Sequence, residues 1–183
     1  MAYDEALAKA WLGVEAVATD KSYSVQFLAD EYSADLENHR ILSLSCNVPA
    51  KDHVSILILH YLEKKLKGLP APAGDWISFK QLEGGQGYYS AFKKRAIDPI
   101  VRKYGSKPEA IFELVERLQA KKAQLADVSV ALEAFESVPA LITLSRADEE
   151  FGPEANILFD KSITDIFCTE DVAVLAGIIA SSI

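Results

Sequence analysis

The stretch DHVSILILHYLEKKLK, from Asp52 to Lys67, decides the fold class predicted from this sequence. Between Val54 and Leu62, apolar residues occupy nearly every side of the helix, which is typical of a helix buried in a core. Asp52 suits the N-cap position, and the lysines of the last turn interact favourably with the helix dipole. Gly68 then favours termination. The stretch therefore predicts one central buried helix.

Segments on both sides of this helix alternate apolar and polar residues, which is the period of a half-buried β-strand. Strands are predicted at 21–28, 32–36, 41–46, 76–82, 128–132, 140–144 and 156–159. Further helices are predicted at 2–18, at 88–97 with an interruption near Pro99, at about 108–124, and from a cap at Thr169 onward. We therefore expect a single-domain α+β protein over 1–183, with antiparallel sheets packed on the central helix and other helices flanking it.

Length and composition exclude several classes of protein. The chain has 183 residues, of which 50% are apolar and 25% charged, and this globular mixture excludes a disordered chain. Its longest apolar stretches fall far short of the roughly 20 residues that a membrane-crossing helix needs, so no membrane association is expected. Two cysteines, Cys46 and Cys168, exclude a disulfide scaffold and suit a reducing compartment. Because the N-terminus lacks an apolar signal segment, the sequence predicts a cytoplasmic protein.

The formal net charge of −8 is distributed unevenly along the chain. An acidic chain repels phosphate backbones, so nucleic-acid binding is not expected. Residues 93–122 carry a net charge of +5, whereas residues 127–183 carry −9. Such regions are typical either of solvated helix faces and acidic loops, or of a surface that attracts an anionic ligand or an acidic partner. The sequence leaves both interpretations open, together with the oligomeric state.

A glycine turn lies between a predicted strand and a predicted helix. The series Gly85-x-Gly87-x-x-Ser90 comes close to a dinucleotide fingerprint, but Ser90 stands where the third glycine belongs. Glycines here let backbone N–H groups approach an anion, and cations on the following helix complete a cradle. The alternative is a tight turn that needs a positive φ. The ligand-binding residues predicted from this pattern are Gly84, Gly85, Gly87, Tyr88, Lys94 and Arg95.

An acidic loop supplies the second candidate site. Oxygen-rich loops suit Ca²⁺ or Mg²⁺, and paired carboxylates can act as general acid and base. The alternative is a solvated loop whose carboxylates cap helices and pair with basic residues. The metal-ligating residues predicted from this pattern are Asp148, Glu149, Glu150 and Asp160. The histidines of the central helix, His53 and His60, stand roughly 10 Å apart along the axis, which is too far for one shared metal ion.

Several sequence blocks together resemble a known family. They are LILHYL at 57–62, GDWISF at 74–79, Gly84-Gly85, YYSAFKKRAIDP at 88–99, DEEFGPEANILFD at 148–160 and Thr169-Glu170-Asp171. Their order and spacing over about 50–175 resemble domain of unknown function 3786 of anaerobic bacteria and archaea. The resemblance implies no established activity, but it implies a setting in anaerobic iron–sulfur or one-carbon metabolism. Because two cysteines cannot supply the four thiolates of a cluster, an iron–sulfur role would need a partner chain.

Three functions are compatible with these patterns. The leading hypothesis is a non-enzymatic cytoplasmic accessory or ligand-binding protein of anaerobic metabolism that binds a small anionic ligand. The second is a metal-dependent enzyme that uses the acidic loop, and the third is a protein–protein interaction module that docks a partner protein or a second copy. The sequence contains no complete catalytic motif and no nucleophile elbow for a hydrolase triad. It therefore does not decide whether the chain is an enzyme, and it indicates no particular cofactor.

Overall fold

The structure of the protein, a computed structural model, describes residues 3–183. The chain forms two compact units, one ending at Ala71 and the other running from Pro72 to Ile183. Both contain helices and antiparallel strands, so the predicted α+β class is confirmed. The single domain over 1–183 stays a prediction. In the described part of the chain, no helix combines the length and the apolar character that crossing a membrane requires.

The first unit consists, within residues 3–71, of two helices and a four-stranded sheet. Its elements are α1 (Asp4–Glu15), β1 (Ser22–Phe27), β2 (Asp30–Asp35), β3 (Arg40–Ser43), β4 (Val48–Pro49) and α2 (Asp52–Lys67). The strands pair antiparallel in chain order. Val25 and Phe27 of β1 and Ala34 of β2 are buried, because alternate side chains of a strand face the same side of the sheet. Helix α1 is shorter than the predicted 2–18, of which residue 2 lies outside the described residues.

The predicted buried helix is confirmed as α2, with both predicted ends. Its central position in the whole protein stays a prediction. Its apolar residues from Ile56 to Leu59, together with Tyr61 and Leu62, are buried, and each large aliphatic side chain contributes roughly 1.5–3 kcal/mol of stabilisation. Helix α2 packs against α1 and β1. The predicted cap was wrong by one position, because Lys51 is the extended N-cap residue. Asp52 is the first helical residue, where its carboxylate still faces the positive end of the dipole.

The second unit contains, within residues 72–183, a five-stranded antiparallel sheet and the remaining helices. Its elements are β5 (Trp76–Ser78), α3 (Gly85–Phe92), α4 (Asp98–Tyr104), α5 (Leu114–Arg117), β6 (Lys121–Ala123), β7 (Val128–Phe135), β8 (Val138–Ser145), β9 (Glu154–Asp160) and α6 (Thr169–Ser182). The strand order is β5-β9-β8-β7-β6. The predicted pairing of 128–132 with 140–144 is confirmed by the β7–β8 hairpin.

One helical run joins α3 to α4 through a π-helical turn, Lys93–Ile97. The predicted interruption near Pro99 corresponds to this turn. Proline has no N–H to donate to the carbonyl of Arg95, four residues earlier, and its ring crowds that carbonyl. The wider π turn accommodates the proline without ending the helix, so the run continues to Tyr104.

The helix predicted at about 108–124 was wrong in most of its length. A 3-10 turn over Pro108–Glu113 leads into α5, a single turn, and the chain then enters β6. Gln119 adopts a left-handed conformation with a φ of 52°, which ends the helical course. Strand β6 is stabilised by its antiparallel ladder with β7, the next strand along the chain.

Two boundaries beside the candidate site also differ from the prediction. The strand predicted at 76–82 ends at Ser78, because Ser78 and Gln81 form a capping box around a 3-10 turn over Phe79–Gln81. The cap predicted at Thr169 lies one residue earlier, at Cys168. The Thr169 hydroxyl instead donates a hydrogen bond to the carbonyl of Glu83, 2.8 Å away.

Candidate functional site

The glycine turn has a demanding backbone geometry. Gly84 lies just before α3 with a φ of 71°, a left-handed conformation that favours glycine. Gly85 is buried, and a Cβ atom there would lie 2.0 Å from the carbonyl oxygen of Phe79. Gly87 lies within α3, and a Cβ atom there would meet open space. The tight-turn alternative therefore accounts for Gly84 and Gly85 without a ligand.

The cationic residues predicted to complete a cradle point to solvent. Lys94 and Arg95 belong to the π turn and are exposed. Within residues 3–183 neither forms a hydrogen bond or an ion pair. Tyr88 is 60% exposed. None of the six predicted ligand-binding residues lines the cleft described below, and their role in ligand binding stays a prediction.

The four predicted metal ligands are not gathered around one point. Asp148 accepts hydrogen bonds from the backbone N–H groups of Glu150 and Phe151, at 2.8 and 2.7 Å, which hold the pKa of its carboxyl below the usual range. Glu149 and Glu150 are exposed. Among the described residues, no group of three or more His, Cys, Asp or Glu side chains is placed to hold a metal ion.

Asp160, the fourth predicted ligand, is 2% exposed and serves the fold. Its carboxylate accepts hydrogen bonds from the backbone N–H groups of Ala73, Gly74 and Ser162 at 2.7–2.9 Å. Burial acts to raise the pKa of Asp160, but the hydrogen bonds from Ser162, Ala73 and Gly74 outweigh it and hold the pKa below its ordinary value. Its hydrogen bonds with Ala73 and Gly74 link the segment before β5 to the end of β9.

A polar cleft of about 600 Å³ lies in the second unit, between the helical run α3–α4 and strands β8 and β9. Its size is that of a small-molecule site. Apolar and small residues line part of its wall, among them Ile97, Val101, Gly152, Pro153 and Ala155. Its polar and aromatic lining consists of Lys80, Tyr89, Lys93, Asp98, Thr143, Ser145, Glu154 and Asn156.

The sheet side of the cleft follows from strand register. Thr143 of β8 pairs with Asn156 of β9, and Ser145 pairs with Glu154. Because side chains two residues apart share a face, these four groups form one polar patch on the β8–β9 ladder. The patch offers hydroxyl, amide and carboxylate groups to a bound molecule.

The helix side of the cleft follows from helical spacing. Tyr89, Lys93, Ile97 and Val101 succeed one another every four residues, which brings them to one face of the run. Lys93 and Ile97 belong to the π turn, so the irregular turn itself supplies two lining residues. π-helical turns occur frequently at functional sites.

Charges in the cleft are distributed between both walls. The Lys93 ammonium donates a hydrogen bond to the Asp98 carboxylate, 2.8 Å away, and this bond raises the pKa of Lys93. The Lys80 ammonium lies 4.1 Å from the centroid of the Tyr89 ring, a cation–π contact. Within residues 3–183, neither Lys80 nor Glu154 forms an ion pair.

Sequence reasoning missed this cleft, although part of it left a signal. The four-residue spacing of Tyr89, Lys93, Ile97 and Val101 was readable, but the exposed neighbours Lys94 and Arg95 were selected instead. The polar alternation of Thr143 and Ser145 in a strand was readable as well. The pairing of β8 with β9, which places these two residues beside Asn156 and Glu154, was not predicted.

The sequence model of the family described as Domain of unknown function (DUF3786) matches residues 6–182, nearly the whole chain. The chain belongs to DUF3786. No curated protein and no solved structure matches it. Two of the blocks that resemble DUF3786, at 88–99 and 148–160, supply most of the cleft lining in this DUF3786 protein. Two of the segments on which the resemblance rests therefore meet at this site.

A smaller hollow of about 360 Å³ surrounds Cys168 at the start of α6. The thiol lies 3.3 Å from the Asp171 carboxylate, as a weak hydrogen-bond donor. Burial raises the pKa of Cys168 to about 11, so the thiol stays protonated at neutral pH. Because the thiolate is the nucleophile, this cysteine is not activated for covalent chemistry.

Proposed function

We propose that this DUF3786 protein is a non-enzymatic binding protein that holds a small anionic molecule in the cleft between α3–α4 and β8–β9. The observation that carries the proposal is the Lys80 ammonium. It lines the cleft and forms no ion pair within residues 3–183. An ammonium without a carboxylate partner, beside a wall of hydroxyl and amide groups, favours a carboxylate or a phosphate.

The walls of the cleft suit a small polar ligand. Its volume lies within the range of about 300–1,000 Å³ that is usual for small-molecule sites. A cation–π contact with the Tyr89 ring already restrains the Lys80 side chain. Less side-chain conformational entropy is therefore lost when this lysine binds an anion. Thr143, Ser145 and Asn156 provide hydrogen-bonding groups that orient a ligand.

The charge state of Lys93 supports binding rather than proton transfer. The hydrogen bond from Lys93 to Asp98 raises the pKa of this lysine above its ordinary value, so the ammonium keeps its proton at neutral pH. A lysine that keeps its proton does not act as a general base. The proposal therefore gives Lys93 no role in proton transfer, and because its charge is paired with Asp98, it assigns the attraction of the anion to Lys80.

The cellular setting of the proposal comes from the sequence and from what the family resemblance implies. A cytoplasmic location and a place in anaerobic metabolism accompany it as predictions. The metal-dependent enzyme and the interaction module also stay predictions, because no feature of the described residues favours either over the cleft.

Thermal-shift screening followed by calorimetry tests the proposal. Carboxylates, inorganic phosphate and nucleotides are screened at millimolar concentrations, and a molecule that binds the folded state raises the melting temperature. For a carboxylate or phosphate that binds, Lys80→Met is expected to weaken the affinity about tenfold, which corresponds to the loss of one charge-assisted contact. Lys107→Met is the matched control, since Lys107 is an exposed lysine of the second unit that does not line the cleft.

A third variant separates this proposal from the sequence-based prediction. The double substitution of Lys94 and Arg95 by Met removes the predicted cradle while the cleft stays intact. The proposal expects no change in affinity, whereas the sequence-based prediction expects a loss. A melting temperature that no anion moves, or equal losses in Lys80→Met and Lys107→Met, would rule the proposal out.

A further inference from the structure

Four charged groups line the cleft, and two of them, Lys93 and Asp98, form an ion pair. These two are hydrogen-bonded at 2.8 Å, so their charges largely neutralise each other. The other two, Lys80 and Glu154, form no ion pair within residues 3–183 and are called the open charges. The Glu154 carboxylate lies near enough to Lys93 to help raise the pKa of that lysine, but Asp98 is the group that holds the Lys93 ammonium. The cleft therefore presents one positive charge without an acidic partner and one negative charge that Lys93 offsets only in part.

The two open charges occupy different places in the cleft. Glu154 is the first residue of β9, opposite Ser145 of β8. Lys80 follows β5, whose last paired residue, Ser78, faces Leu158 four residues farther along β9. The two groups thus lie on different elements, and they do not pair with each other. A ligand between them meets opposite charges at two points.

This arrangement discriminates among molecules that carry a carboxylate. A simple carboxylate is attracted by Lys80 and repelled by Glu154. A molecule that carries both a carboxylate and an ammonium pairs with each open charge and leaves neither uncompensated. Complementary charges of this kind add specificity, since ligands with the wrong pattern are repelled.

We infer that the ligand is a zwitterion of the amino-acid class, with its carboxylate at Lys80 and its ammonium at Glu154. This inference rests on the proposed function and narrows it to one chemical class. Asn156 and Ser145, on the same wall as Glu154, supply hydrogen-bonding groups near the ammonium. Binding requires no covalent step.

Calorimetry with matched pairs of molecules tests the inference. Each pair differs by one ammonium group: alanine and propionate, γ-aminobutyrate and butyrate, ε-aminocaproate and caproate. The series spans several separations between the two charges. In the wild-type protein, at least one amino acid is expected to bind about tenfold more tightly than its carboxylate counterpart.

The Glu154→Gln variant supplies the decisive measurement. It is expected to abolish the preference for the amino acid, while the carboxylate binds equally well or more tightly because the repulsion is gone. Glu116→Gln is the matched control, because Glu116 is an exposed acid of the second unit outside the cleft. It should leave both affinities unchanged, and urea unfolding verifies that both variants are folded.

The outcomes separate the inference from the proposed function. If carboxylates bind and every amino acid binds no more tightly, the zwitterion inference is overturned and the anion-binding function stands. If the preference survives in Glu154→Gln, or disappears equally in Glu116→Gln, the assignment to Glu154 is overturned. If no molecule of either series binds and no anion of the wider screen does, the proposed function fails, and the inference fails with it.

Discussion

Strand β9 carries an acidic residue at each end, and the surroundings of the two carboxylates differ. At the C-terminal end, Asp160 is buried and accepts three backbone hydrogen bonds. At the N-terminal end, Glu154 is exposed, lines a cleft and has no ion-pair partner within residues 3–183. The same carboxylate group thus anchors backbone N–H groups at one end of the strand and is exposed in a cleft at the other. Hydrogen-bond partners, rather than residue type, distinguish the structural carboxylate from the one that we propose binds a ligand.

Removal of the buried carboxylate is expected to have the largest effect on stability. Asp160→Ala leaves the backbone N–H groups of Ala73, Gly74 and Ser162 without their acceptor, and the predicted loss is about 3 kcal/mol. Urea unfolding followed by circular dichroism measures it. Glu154→Ala is the matched substitution at the open end, and its unfolding midpoint should stay close to that of the wild type. Equal losses at the two ends would contradict the comparison.

The glycine turn offers a second comparison, between Gly85, where a Cβ atom would clash, and Gly87, where it would meet open space. Gly85→Ala places a Cβ atom 2.0 Å from the Phe79 carbonyl oxygen, so the backbone must shift, at an expected cost of about 1–3 kcal/mol. Gly87→Ala places its Cβ atom in open space inside α3 and should stabilise the protein by about 0.5–1 kcal/mol. Thermal unfolding of the two variants checks this difference in sign. Destabilisation by both substitutions would show that Gly87 also meets a steric limit.

Acid titration tests whether the buried carboxylate stabilises the fold in its charged form. The pKa of Asp160 in the folded protein lies below its ordinary value of 3.8, so its contribution to stability is present above that value. As the pH falls through the folded pKa, the contribution is lost. The stability difference between wild type and Asp160→Asn should therefore be constant from about pH 7 to about pH 5 and shrink below about pH 4. A difference that grows on acidification would reverse the assigned sign.

The smallest effect on stability is expected at the open end. Glu154→Gln removes an exposed charge that forms no ion pair within residues 3–183 and acts on Lys93 only as a minor contribution to its raised pKa, so the melting temperature should move by only about 1 °C. Differential scanning calorimetry without added ligand measures this shift. A large destabilisation would place Glu154 among the structural carboxylates and would remove the contrast between the two ends of β9.

The parts of the fold that were predictable depend on local signals. Helix α2 was predicted with both ends because its apolar residues, its first acid and Gly68 lie in one stretch. The β7–β8 hairpin was predicted because its strands alternate and lie next to each other in sequence. The segment at 108–124 failed, because its apolar spacing resembles a helix and the left-handed Gln119 carries no sequence signature of that conformation.

The cleft was harder to predict because distant segments build it. Lys80 follows β5, Lys93 lies in the π turn, and Glu154 begins β9, so no single window of sequence contains them. The glycine turn was predicted as a site since its pattern is compact, yet Phe79 already fills the space beside Gly85. Asp160 was grouped with the acidic loop by charge alone. Its backbone partners arise from the fold.

The π turn between α3 and α4 has a consequence for insertions and deletions in the protein. Such a turn holds one residue more than a regular helical turn. Loss of any single residue between Lys93 and Ile97 would restore an ordinary helix without turning α3 relative to α4, because the wide turn already absorbs the extra residue. Tyr89 and Val101 would then be eleven residues apart, about 20° from each other around the axis, and would keep their common face. An insertion or deletion elsewhere in α3 or α4 would instead rotate the two ends by about 100°. The π turn is therefore the place where this helix tolerates a change of one residue while both halves still face the same cleft.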